Sequence, residues 1–182
     1  MASSKNKMLT RRERCMEGED SIATLRQGNA EYAAAFDAGG LSAPAQQRVL
    51  VLTCMDSRIV PHAIFGLGEG DMKVIRNAGG QLNPEVERDI VLASYLLDCE
   101  TVVIMPHTQC AMTSMTVADI QNTLAELSGL DFSSFTPRMV ENQEEKLRAD
   151  VAALQANALL REGTTVRGAI YEVGSGEVRW VC

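Results

Sequence analysis

Two short stretches hold the residues of this chain that can do chemistry together: Cys54-Met55-Asp56-Ser57-Arg58 and, well downstream, His107-Thr108-Gln109-Cys110. Thiolate and imidazole are preferred ligands of zinc, and catalytic zinc sites commonly use three protein ligands with a fourth place left for water. Cys54, His107 and Cys110 make such a set. The His-x-x-Cys spacing lets two side chains reach one ion where a strand turns into a helix, and a helix N-terminus at Cys110 favours its thiolate. Two thiolates already cancel the double charge of the ion, so bound water is acidified less than on three neutral histidines. That shifts weight onto Asp56, which can accept a hydrogen bond from the metal's water or hydroxide and aim a lone pair at a substrate. Arg58 can hold Asp56 ionised and oriented. Released from Arg58, the same carboxylate can act as a fourth ligand in a closed state of the site.

Plainer readings of these residues stand beside this one. A lone cysteine at a strand end is commonly core, and Asp56 with Arg58 can be a surface ion pair. A structural zinc site would ask for a fourth ligand, for which His62 is the candidate, and would make the chain a binding module. A redox pair of Cys54 and Cys110 lacks the Cys-x-x-Cys spacing. The conjunction of the two stretches favours catalysis.

The elements that must position these groups follow from the hydrophobic pattern. Residues 48–54 form a continuous apolar run, which predicts a strand buried on both faces of a parallel sheet. Further strands are expected over 72–77 and 101–105, and a closing hairpin over 164–173 and 177–181 around Gly174-Ser175-Gly176. Helices are expected over 61–65, from Asn83-Pro84 to about 97, over 113–127 and over 138–160. Residues 20–36 suit an amphipathic helix, and 1–19 read as a polar N-terminal arm before a single catalytic domain over 20–182.

Alternating strands and helices imply an α/β fold, with a mostly parallel central β-sheet, helices on both faces and an antiparallel edge strand at the C-terminus. Ligands of such sheets bind beyond the carboxyl ends of the strands, where strand order reverses. The glycines of Arg76-Asn77-Ala78-Gly79-Gly80 lack the spacing of a dinucleotide fingerprint or a P-loop. They are expected to pack backbone tightly beside the metal, with Ala78 and Gly79 backbone groups lining a substrate pocket.

A formal charge of −7 over 182 residues and a pI near 4.9 argue against nucleic acid or anionic lipid as a partner. The longest apolar runs fall far short of the ~20 residues that span a bilayer, and no signal-peptide stretch opens the chain. A cytoplasmic protein is expected. Cys15, Cys54, Cys99, Cys110 and Cys182 are an odd, scattered set rather than a disulfide framework. Cys99 is expected to be buried, Cys182 an exposed thiol, and Trp180 to pack the closing strand. With aromatics at 4%, the core must be aliphatic.

Taken in order, Cys54-Met-Asp-Ser-Arg, Val74-Ile-Arg-Asn-Ala-Gly-Gly80 and His107-Thr-Gln-Cys110 resemble the motifs of the β-class carbonic anhydrases, strongly over 48–115 and again from Val166 to Tyr171. The resemblance implies a zinc enzyme, one ion per subunit, that converts carbon dioxide to bicarbonate and a proton by attack of zinc-bound hydroxide. It implies Cys54, His107 and Cys110 as ligands, Asp56 and Arg58 as the catalytic pair, and a homodimer or larger with the site near the subunit interface. Relatives that hydrolyse carbonyl sulfide or carbon disulfide use the same ligands, so those substrates stand as the alternative. Many relatives read His-Thr-Asp-Cys-Gly-Met where this chain has Gln109 and Ala111; neither change removes a ligand, and the extra methyl of Ala111 beside the metal can narrow the pocket or alter the rate.

Overall fold

Val49–Cys54 forms β1, and all but its first residue are buried. It runs parallel between β2 (Met72–Asn77) and β3 (Thr101–Met105). β3 pairs in parallel with β4 (Thr165–Tyr171), and β5 (Val178–Trp180) closes the sheet antiparallel to β4. The order is β2-β1-β3-β4-β5. The chain leaves β1 toward one edge and returns on the other side as β3, so strand order reverses between these two strands. Cys54 ends β1, and His107 lies just past β3. The expected α/β architecture is the observed one.

The computed structural model describes the backbone over residues 11–182 and side chains over 20–182. The chain divides into two units, Met1–Leu41 and Ser42–Cys182, and the second holds the whole sheet.

Alternation along the strands sends side chains to two separate cores. Leu50, Leu52, Val102, Ile104, Val166 and Ile170 face one way, against Val86, Ile90 and Ala93 of α3 (Pro84–Leu96) and Leu147, Val151 and Leu154 of α6 (Gln143–Gln155). Val51, Val103, Met105 and Ala169 face the other way, toward Ile59 and toward Ile64 and Phe65 of α2 (Pro61–Phe65). Ile90 is fully buried, so Ile90→Ala would cost about 2–5 kcal/mol through lost transfer energy and a cavity. The cores are aliphatic, as expected.

Helix ends are set by caps. Asn83 accepts from the N–H groups of Glu85 and Val86, with Pro84 in the first turn, where its missing donor costs nothing. Two expected spans are corrected by such caps. The helix expected over 113–127 is two helices, α4 (Ala111–Ser114) and α5 (Val117–Ser128), because Thr116 and Asp119 form a capping box that starts a new helix. The helix expected over 138–160 is shorter, since Asn142 caps α6, and Asn157 turns the chain back by accepting from Leu159 N–H.

In the first unit, α1 covers Arg11–Ala34, beginning earlier and ending sooner than expected. Arg11 to Glu19 of the expected arm are thus helical, and its residues 1–10 lie outside the described residues. Ile22, Leu25 and Tyr32 on α1 are exposed. Trp180 is also exposed, at 57%, because β5 is an edge strand of three residues with its outer side uncovered. Among the described residues no helix is long and apolar enough to cross a membrane.

Candidate metal centre

The two stretches singled out by their chemistry converge at the carboxyl ends of β1 and β3. Cys54 is the last residue of β1. His107 is fixed just beyond β3 by a parallel bridge to Tyr171, with Thr108 N–H donating to the Tyr171 carbonyl at 3.0 Å and Tyr171 N–H donating to the Pro106 carbonyl at 2.9 Å. Cys110 stands at the N-cap of α4. All three residues are buried, and one ligand atom from each lies within 4.8 Å of the others. His62 sits in α2 and joins no ligand cluster among the described residues. Cys99 is buried and Cys182 exposed, both as free thiols.

The chemistry of this donor set fits a metal ion. Both ring nitrogens of His107 are buried without a hydrogen-bond partner, a situation that costs roughly 1–3 kcal/mol per unsatisfied group. Burial pushes the His107 imidazole below its ordinary pKa and so favours the neutral form that ligates. Burial, and after it the neighbouring Cys54, pushes the Cys110 thiol up. A dication placed among these groups reverses that preference by stabilising the thiolate. Gly79 N–H donates to Cys54 Sγ at 3.3 Å, a contact suited to a thiolate.

Beside these three residues lies the carboxylate. Arg58 reaches Asp56 three times: its backbone N–H and Nε donate to Oδ1 at 2.9 and 3.0 Å, and Nη2 donates to Oδ2 at 2.7 Å. These bonds hold the Asp56 carboxyl far below the usual carboxylate range. Asp56 Oδ2 is 3.9 Å from His107 Nε2. An ionised acceptor is thus aimed at the cluster, its second face occupied by a cation. Arg58 Nη1 also donates to Gln109 Oε1 at 3.2 Å. Gln109 has φ 60, a left-handed conformation that costs roughly 1–2 kcal/mol for a residue with a Cβ.

Three positioning residues went unassigned in the sequence reading. Arg76 donates from Nε to the Cys54 carbonyl at 2.9 Å and from Nη2 to the Asp56 carbonyl at 2.6 Å, pinning the turn that carries both. Asn77 closes the glycine turn by accepting from Gln81 N–H and donating to the Gln81 carbonyl. Gln143, at the start of α6, donates to the His107 carbonyl at 2.8 Å. A charged residue at the end of a strand beside the motif was the one available signal for Arg76; Gln143 left none.

Gly80 shows why the glycines are needed. Its φ is +63, and a Cβ there would lie 3.0 Å from Cys54 N and from Thr53 C. Gly79 is buried, with its N–H engaged by Cys54. Ala78 is exposed and lines an open depression of about 250 Å³ with Asn77, Met112, Phe135 and Arg138. Ala111 is the exposed first residue of α4, directly after Cys110.

A sequence model of the family described as carbonic anhydrase matches residues 49–131. The crystal structure of carbonic anhydrase from Streptococcus mutans superposes with a TM-score of 0.79 at 30% identity, covering 88% of this chain and 97% of that one. The chain belongs to the β-carbonic anhydrase family. Within it, beta-carbonic anhydrase 1 of Mycobacterium tuberculosis is 27% identical over 153 residues, 84% of this chain and 93% of the relative. A carbon disulfide hydrolase of Acidithiobacillus thiooxidans is also 27% identical, over 75% of this chain and 78% of its own length. Membership in the β-carbonic anhydrase family supports a lyase, and the Cys54-His107-Cys110 group is able to bind a metal.

Proposed function

We propose that this protein hydrates carbon dioxide reversibly to bicarbonate and a proton, with zinc held by Cys54, His107 and Cys110. The observation that carries the proposal is the Asp56 carboxylate, clamped by Arg58 and 3.9 Å from His107 Nε2 in the buried Cys-His-Cys cluster. When bound, zinc supplies a Lewis acid that generates a nucleophile from water near neutral pH.

The residues of the chain do the rest. Asp56 accepts the hydrogen of the attacking oxygen and turns a lone pair toward the carbon of the substrate. Arg58 keeps the carboxylate ionised and fixes its plane through paired, charge-assisted bonds. Gly79 N–H supports the Cys54 sulfur, and the exposed Ala78 backbone offers a surface for the gas. The proton released on hydration passes to solvent buffer. If Arg58 lets go, Asp56 would serve as a fourth ligand and shut the site.

The 27% identity to a carbon disulfide hydrolase favours a second reading on the same residues, hydrolysis of carbonyl sulfide or carbon disulfide. Comparing kcat/KM of the zinc-loaded protein on the three substrates decides between them: carbon dioxide is expected to lead, and a preference for either sulfur compound would replace the proposal. The active form is proposed as a homodimer or larger. Support comes from the exposed apolar side chains of α1, from Leu92, Tyr95 and Leu96 exposed on α3, and from β2 as a sheet edge with unpaired backbone groups. A monomer by light scattering at working concentration would refute this.

A further inference from the structure

We propose that Gln109 is a positioning residue, whose side-chain oxygen ties the Arg58 guanidinium to the His107–Cys110 turn and so keeps Asp56 in its working pose. The proposal rests on Asp56 and Arg58 being the catalytic pair.

Arg58 is long and its side chain is 47% exposed; an ion pair at such a site is held weakly, since water competes for both partners. Asp56 takes Nε and Nη2 from a position two residues away, a local contact that can swing as one body with its own loop. The Nη1 bond to Gln109 Oε1 is the tie to a distant segment. A guanidinium only donates, so the amide must present its oxygen to Arg58. Arg58 is thereby spanned between the turn after β1 and the turn that carries two of the three ligands.

The backbone at Gln109 points the same way. A left-handed residue between His107 and Cys110 is served best by glycine, or by short Asn or Asp. The chain instead bears a longer amide there, and the Arg58 bond gives that side chain a use. Its neutrality matters as well. An amide accepts the bond without placing a second anion on the guanidinium, which leaves the charge of Arg58 to Asp56.

Two substitutions remove the acceptor with opposite effects on the backbone. Gln109→Met keeps the volume; Gln109→Gly relieves the left-handed strain. In zinc-loaded protein, both are expected to lower kcat about 3- to 10-fold, the share of one hydrogen bond to a charged group at an exposed site. KM and zinc content stay near wild type. Arg58 should react several-fold faster with phenylglyoxal, read by peptide mass spectrometry. In an Arg58→Ala background neither substitution should lower kcat further. Wild-type kcat and Arg58 reactivity in both variants, beside a slowed Arg58→Ala, would overturn the role of Gln109 and leave the pair standing. An equal loss with and without Arg58 would also overturn it. Unchanged hydration by Arg58→Ala alone would remove the pair itself.

Discussion

A Cβ on Gly80 would stand 3.0 Å from the backbone nitrogen of Cys54, so the glycine turn after β2 and Cys54 at the end of β1 share space that no side chain can enter. Neither backbone can yield without moving Cys54, a member of the group able to bind a metal. Gly80→Ala is expected to cost about 2–4 kcal/mol, from the left-handed φ together with overpacking, and to lower zinc affinity. Denaturant unfolding and zinc titration check this; wild-type stability and affinity would show that the turn relaxes freely.

Arg76 bonds the carbonyls of Cys54 and Asp56 at once, so it sets the relative placement of the Cys54 thiol and the Asp56 carboxylate. Arg76→Met should keep the fold, because the side chain lies at the exposed end of β2, yet weaken zinc about 10- to 100-fold, as loss of a ligand's supporting bonds commonly does. Competition with a chromogenic chelator measures it. Affinity equal to wild type would mean that the turn after β1 is held by its own backbone.

His107 supplies a pH dependence of known sign. Burial lowers its native pKa, so the unfolded chain binds the proton more readily. The stabilising contribution is complete above the unfolded value of about 6.5 and is lost as the pH falls below it. Metal-free protein should therefore become less stable from neutral to mildly acid pH, with a smaller slope in His107→Leu. Asp56, also lowered, behaves alike but in more acid solution, so its pair with Arg58 survives this range. Equal slopes for wild type and His107→Leu would contradict the assignment.

The sheet was legible because 49–54 and 101–105 are apolar runs ending at chemically distinctive residues, and a buried parallel strand has no other pattern. The convergence of Cys54, His107 and Cys110 was legible for the same reason: strand ends fix where Cys54 and His107 must stand. Helix boundaries were less so. Thr116 and Asn142 restart the chain through side-chain caps that compete locally with helix continuation, and a hydrophobic pattern carries no sign of that competition. The exposed position of Ala111 was hidden too, because it depends on the α4 turn beginning immediately after Cys110. Arg76 and Gln143 act through backbone carbonyls of other segments, and such contacts exist only once the sheet has brought those segments together.

Asp56 bears the central claim, since two thiolates would blunt an ion held by Cys54 and Cys110. Stopped-flow carbon dioxide hydration by zinc-loaded wild type and Asp56→Ala, matched for metal content, tests it most directly. Rapid hydration by the wild type and a loss of roughly 10²- to 10⁴-fold in the variant are expected. Hydration unchanged in Asp56→Ala, or absent from fully zinc-loaded wild type, would contradict the account.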